Sequence, residues 1–76
     1  MPHIEIKCYP GRTEDVKAKC ASIVAKDVAE VMGCNLSSVS VSITEVDKED
    51  WKAEVWDKSI AGEPSNLYVK PGYTCD

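Results

Sequence analysis

Pro2 is the residue of this chain that offers the most unusual chemistry. The sequence has no glycine-rich phosphate loop, no nucleophile elbow and one histidine, His3. If the initiator methionine is removed, as a small second residue generally allows, Pro2 becomes a free secondary amine. Such an amine has an ordinary pKa of about 7.7 to 8.0, and burial in an apolar pocket beside a cation lowers that pKa. Pro2 would then be a neutral base at cellular pH.

A base of this kind can take a proton from one atom of an enol and return it to another, which is isomerase chemistry that needs no cofactor. Pro2 also has a plainer interpretation, because a proline suits the start of a strand. The residue alone leaves both interpretations open. No metal is expected, since Cys8, Cys20, Cys34 and Cys75 lie twelve, fourteen and forty-one residues apart without a C-x-x-C pair.

The cysteines also bear on how so short a chain is stabilised. Nothing in the sequence signals export, so the thiols are expected to stay reduced, with the first three in or near the core and Cys75 as an incidental thiol. A chain of 76 residues buries only about 60% of its unfolded surface and usually needs a disulfide, a metal or a partner subunit. Oligomerisation is therefore the favoured source of additional buried surface.

Length and composition restrict the class of protein. Seventy-six residues allow one domain, so 1–76 is predicted to be a single domain. A net charge of -4, with basic residues interleaved among acidic ones, disfavours nucleic acid as a partner. No apolar run approaches the roughly 18 residues of a membrane span, and the amino terminus lacks a signal pattern. The expected location is cytoplasmic, with no membrane partner.

Two strands are predicted from alternating apolar and polar residues. The first runs over 3–9 and is ended by Pro10-Gly11, because proline cannot continue a ladder and glycine permits a turn. The second covers 39–44, where valine and isoleucine alternate with serine and threonine. Each pattern is typical of a half-buried strand.

One long amphipathic helix is predicted between these strands, over 14–32. Thr13 is a natural N-cap, and Gly33 and Asn35 supply a left-handed stop. A helix that connects two strands of one sheet makes those strands parallel. The predicted fold class is therefore α/β (α+β), built on a β-α-β unit.

The carboxy-terminal third has no clear period. Trp51, Val55, Trp56 and Ile60 follow an acidic turn at helix-like spacing, which predicts short helical turns. Residues 62–65 form a break, and 66–70 are either a short helix or an extended segment. Large aromatic residues in such a segment usually fill a core or a subunit interface.

The order of these features resembles the 4-oxalocrotonate tautomerase family. The resemblance lies in Met-Pro-His-Ile-Glu-Ile-Lys at the start, in Gly11-Arg12 before the acidic helix start, and in the run from Ser38 to Glu45. The remainder, from Trp51 through Pro71-Gly72-Tyr73, is similar to longer, dimeric bacterial members that act on enol forms of arylpyruvates. The resemblance implies a cofactor-independent tautomerase, an isomerase, that acts on a small-molecule 2-oxo acid such as phenylpyruvate.

The resemblance also assigns site residues. Pro2 matches the family's amino-terminal proline, which moves a proton between oxygen and carbon. Arg12 matches an arginine that would bind a substrate carboxylate or stabilise the developing enolate charge, and Trp51 matches an aromatic wall. Ser40 stands where hexameric members carry a second arginine, so a dicarboxylic substrate is not expected and Ser40 would face a monocarboxylate. His3, next to the base, could contact substrate, but the favoured interpretation is an exposed strand histidine.

The expected assembly is a homodimer in which two β-α-β units pair edge to edge. Hexamers of the family stack through the other sheet face, which here carries Glu5, Lys7, Ser40 and Ser42 and is too polar to bury. Two alternatives stay open at this stage. One is a non-catalytic dimeric interaction module that docks through its aromatic third. The other is a related dehalogenase or decarboxylase, for which the acids available to activate water are Glu49 and Asp50.

Overall fold

A parallel two-stranded sheet is formed by the amino-terminal half of the chain. In the computed structural model, which describes residues 1–62 and 64–75, strand β1 is His3–Cys8 and strand β2 is Ser40–Glu45. The strands pair in parallel, with His3 opposite Ser40 and Cys8 opposite Glu45. Both predicted strands are confirmed, each within one residue of its expected limits.

Helix α1, Glu14–Met32, connects the strands and has the predicted bounds. It begins at Thr13, whose extended backbone and hydroxyl oxygen, 3.3 Å from the Val16 nitrogen, form an N-cap. Glu14 and Asp15 occupy the first turn, where the partial positive charge of the helix terminus favours acids. The β-α-β unit is therefore the architecture of this half.

The end of α1 depends on Gly33. This glycine has φ 71° and ψ 41°, a left-handed conformation that residues with a Cβ adopt at a cost. The Cys34 amide then donates to the Ala29 carbonyl at 3.0 Å, which closes the helix as a Schellman motif does. Asn35 was expected to share this role, but its φ of -71° is ordinary extended backbone, and it precedes a 3₁₀ turn over Leu36–Ser38.

The buried face of α1 is narrower than its apolar stripe. Ala29 is buried, whereas Ile23 and Val31 are 48% and 85% exposed. Cys20 is exposed, so its expected place near the core was wrong, while Cys8 and Cys34 are half-buried. The stripe extends around the helix beyond the surface that the two strands cover, which leaves apolar side chains in water.

The chain divides into two compact units, each defined by its own internal contacts. The first unit is Met1–Glu45, and the second begins at Val46. The second unit contains a 3₁₀ turn over Lys48–Asp50 and a nine-residue π-helix, Lys52–Ile60. The Ala61 amide donates to the Trp56 carbonyl five residues earlier, at 2.7 Å. The predicted helical turns are present, although with hydrogen bonds of the π type.

Aromatic contacts hold the rest of the second unit to its helical part. The Trp51 Nε1–H donates to the Tyr73 hydroxyl at 3.2 Å, and the Trp56 and Tyr73 ring centroids are 5.5 Å apart. Residues 66–70 are irregular and are neither helix nor strand, and of the predicted break Glu63 lies outside the described residues. Cys75 is half-buried. Within the described part of the chain, no helix is sufficiently long and apolar to span a membrane.

Gly33→Ala is expected to lower the free energy of unfolding by about 1 kcal/mol, because alanine must adopt the left-handed conformation. No atom lies within 4 Å of a Cβ added at Gly33, so the cost is conformational and not steric. Urea unfolding followed by the helical circular dichroism signal measures it. Gly72→Ala is the matched control, since Gly72 has equal space and no left-handed φ. Equal effects of the two substitutions would contradict this account of the cap.

Candidate active site

Ser40 contacts both Pro2 and its neighbour His3 at the amino-terminal end of the sheet. Its backbone N–H donates to the Pro2 carbonyl oxygen at 3.2 Å. Its hydroxyl oxygen lies 2.7 Å from Nδ1 of His3, the residue directly opposite Ser40 in the strand register. The pairing of β1 with β2 thus joins Ser40 to the predicted base, Pro2, and to its neighbour His3. His3 is exposed as expected, but its contact with Ser40 was not anticipated from the sequence.

Arg12 lies at the other end of β1. Its Nη1 donates to the Tyr9 carbonyl oxygen over a long 3.4 Å, just after the strand ends at Cys8. A strand advances about 3.3 Å per residue, so the seven steps from Pro2 to Tyr9 span roughly 20 Å. Within one chain, the structure therefore keeps Arg12 apart from Pro2, His3 and Ser40.

Arg12 borders a cavity of about 280 Å³ between α1 and the sheet. Lys17 is the second cation in its wall. The remaining wall is apolar or bears thiols, and consists of Ile6, Cys8, Val16, Cys20 and Ile43. A mostly apolar cavity with a few charged groups is typical of a small-molecule site.

The two cations of this cavity differ in their partners. Lys17 forms ion pairs with Glu14 at 2.8 Å and with Glu45 at 3.5 Å. The hydrogen bond that Lys17 donates to Glu14, together with the negative charges of Glu14 and Glu45, raises the pKa of Lys17 above its ordinary value. Arg12 forms no ion pair with any of the described residues and has only the long bond to a carbonyl. Arg12 is therefore the cation whose charge is available to an anionic ligand.

Trp51, the predicted aromatic wall, belongs to the second unit. It is half-buried and is held by the hydrogen bond to Tyr73 already described. Trp56 and Tyr73 border a separate cavity of about 240 Å³ within this unit. No group of three histidine, cysteine, aspartate or glutamate side chains in 1–62 and 64–75 is placed to hold a metal ion.

Comparisons with known proteins bear on what these residues do. The profile of the family described as "Tautomerase enzyme" matches residues 2–58. The chain belongs to the tautomerase family. It is 42% identical to "Tautomerase PptA" of Enterobacter sp. (strain 638), with 97% of this chain and 99% of that protein covered. It is also 41% identical to "Tautomerase PptA" of Escherichia coli O127:H6, with the same coverage, and 37% identical to that of Klebsiella pneumoniae (strain 342).

Membership confirms the resemblance found in the sequence and makes this protein an isomerase of the tautomerase type. The matched region begins at Pro2 and includes Arg12, Ser40 and Trp51. The contact of His3 with Ser40 and the charge compensation of Lys17 were missed by sequence reasoning. The first depends on strand register, and the second combines an i,i+3 pair within α1, Lys17 with Glu14, with a pair between α1 and β2, Lys17 with Glu45.

Lys17→Gln is expected to lower the melting temperature of this tautomerase at pH 7, because Glu14 and Glu45 lose their shared cation. The pKa of Lys17 is higher in the folded than in the unfolded chain, so its stabilisation is complete below 10.5 and is lost as the pH rises through the folded value. The difference from wild type should therefore shrink at strongly alkaline pH. Circular dichroism melts measure this, with Lys19→Gln as a control on the same helix. A difference that persists unchanged above the folded pKa would contradict the ion-pair origin.

Proposed function

We propose that this tautomerase interconverts the enol and keto forms of a 2-oxo monocarboxylate such as phenylpyruvate, with Pro2 as the acid-base group. The observation that carries the proposal is Arg12, a cation without a carboxylate partner among the described residues, at the mouth of a largely apolar cavity. One available cation suits one carboxylate, and the apolar wall suits a hydrophobic or aromatic remainder. The name of the relatives, "Tautomerase PptA", agrees with this class of reaction.

The proposed reaction is a proton transfer in two steps. The Pro2 nitrogen takes the proton of the enol hydroxyl, while the oxygen–hydrogen electrons form the carbonyl π bond and the carbon–carbon π electrons move towards C3. The protonated Pro2 nitrogen then delivers that proton to C3, which gives the keto acid and restores the free amine. The amine exists only after removal of Met1, because an acylated proline nitrogen has no basic electron pair.

The other predicted residues have supporting roles in this proposal. Arg12 binds the carboxylate, and Ser40 faces the substrate where a second arginine would favour a dicarboxylate. Trp51 stays the predicted aromatic wall of the site, as the resemblance implies. A positioning role for Ser40 is supported by its amide, which donates to the carbonyl of Pro2, the residue that carries the proposed base, at 3.2 Å.

The separation of Pro2 from Arg12 supports a homodimer. Roughly 20 Å of strand lies between them in one chain, so a substrate that contacts both must be held by two chains. Exposed apolar side chains on α1, among them Ile23 and Val31, offer surface for such an association. The opposite sheet face carries the ion pair of Glu5 with Lys7 at 3.5 Å, and burying this pair in a hexamer without full hydrogen bonding would cost several kcal/mol per ion. The single domain and the cytoplasmic location stay predictions.

Pro2→Ala is expected to reduce kcat for ketonisation of fresh phenylenolpyruvate by about tenfold to a hundredfold, because alanine offers a primary amine in place of the proline amine. Ultraviolet decay of the enol measures the rate, and intact mass shows whether Met1 is absent from both proteins. Pro2→Leu is the sharper companion, since a large second residue retains Met1. Full activity in Pro2→Leu would overturn the role of the amine.

A mixed-dimer experiment tests whether Arg12 acts on the partner's base. Pro2→Leu and Arg12→Ala chains are each expected to be inactive as homodimers. When they are unfolded together and refolded in equal amounts, half of the dimers contain both chains and each of these has one intact site. Activity should therefore recover to about a quarter of wild type.

Two controls make that result interpretable. Refolded wild type sets the full value, and each variant refolded alone sets the background. Absence of recovery, with mixed dimers demonstrated by a size-tagged chain, would place the base and the arginine on one chain and contradict the shared site.

A further inference from the structure

We infer that His3 is a further substrate-binding residue of this site. In this inference the Nε2–H group of His3 donates to the C2 oxygen of the 2-oxo acid, while the Ser40 hydroxyl holds Nδ1. The inference rests on the proposed function of Pro2 and adds a hydrogen-bond donor for the reacting oxygen.

The position of His3 is the first argument. His3 follows Pro2 directly, and consecutive Cα atoms are about 3.8 Å apart, so the backbone of His3 lies next to that of the proposed base. Ser40 makes contact with both residues, through its amide to the Pro2 carbonyl and its hydroxyl to the ring. One residue of β2 thus fixes the backbone of the base and the side chain beside it.

The state of the imidazole is the second argument. The distance of 2.7 Å from Nδ1 to the Ser40 oxygen lies at the short end of the hydrogen-bond range. Both side chains are exposed, so neither needs the other in order to satisfy a buried polar atom. The bond instead restricts the ring orientation and occupies Nδ1, which leaves Nε2 open to a ligand.

The surrounding charges leave His3 available for this role. Glu5 and Lys7 lie on the same face of β1 as His3, but they form an ion pair with each other at 3.5 Å. His3 has no ion pair with any residue in the described part of the chain, and its contact there is the Ser40 hydroxyl. In the inferred arrangement the Ser40 hydroxyl donates to Nδ1 and the ring hydrogen lies on Nε2, so the ring presents a donor at that atom.

A donor at this point suits the chemistry of the reaction. As the enol hydroxyl gives its proton to Pro2, electron density grows on the C2 oxygen. An N–H group already directed at that oxygen stabilises the transition state without reorganisation, as oxyanion-hole donors do. Arg12 cannot supply this contact from its own chain, because it lies at the far end of β1.

Imidazole NMR tests the contact without relying on turnover. His3 is the one histidine of the sequence, so every imidazole nitrogen signal belongs to it. The probes are benzoylformate, a 2-oxo acid that cannot enolise, and phenylacetate, which has the same ring and carboxylate but lacks the C2 oxygen. In Met1-processed wild type, the Nε2 signal should shift with benzoylformate and not with phenylacetate. Equal shifts with both probes, or none with either, would overturn the inference.

Kinetics of substituted proteins give the second readout. His3→Leu should lower kcat for enol ketonisation about tenfold or more, with a smaller change in KM, and His3→Gln should recover part of the loss because its amide nitrogen can donate. Ser40→Ala should lower kcat several-fold and broaden the imidazole signals into a mixture of tautomers. Ser42→Ala, the same substitution on the same face of β2, is the matched control and should keep wild-type kcat.

The outcomes separate this inference from the function on which it rests. Wild type that fails to accelerate ketonisation would overturn both. Wild type that is active, with His3→Leu equally active, would overturn the inference alone. Loss in His3→Leu without recovery in His3→Gln, and without a benzoylformate-specific shift, would assign His3 a structural role and would also contradict the inference.

Discussion

The parallel pairing of β1 with β2 is the constraint on which the rest of this tautomerase depends. Because the strands run in the same direction, the start of β2 must lie beside the start of β1, which places Ser40 against Pro2 and His3. The same direction requires a crossover, and α1 supplies it. The pairing thus determines both which side chains surround the amino terminus and where the helix must begin.

Helix α1 does more than connect the strands. Its N-cap, Thr13, follows Arg12 directly and fixes the point at which the helix begins. Lys17, one turn further on, gathers Glu14 and Glu45 into a local network of charges. That network compensates the positive charge of Lys17. Arg12, by contrast, has no acidic partner among the described residues. Local capping and charge pairing therefore leave the charge of Arg12 uncompensated by any described acid beside the start of α1.

Much of the first unit could be predicted because its signals are local. The alternation of 3–9, the cap at Thr13 and the stop at Gly33 each lie within a few residues of the element that they define. The bond between His3 and Ser40 joins residues 37 apart, and its existence depends on a register that alternation alone does not fix. The π-helix was equally hidden, since Trp51, Val55 and Ile60 suit an ordinary helical period and the longer hydrogen bonds arise from packing. Asn35 was misassigned because Gly33 had already supplied the left-handed turn.

The length of β1 has a consequence for regulation by protein abundance. A six-residue strand separates Pro2, the proposed base, from Arg12, the proposed carboxylate ligand, by more than any small keto acid can span. If two chains complete each site, catalytic output depends on the association equilibrium, and dilution below the dissociation constant removes activity faster than it removes protein. Specific activity would then rise with cellular copy number, which makes synthesis of the chain itself a means of switching the enzyme on.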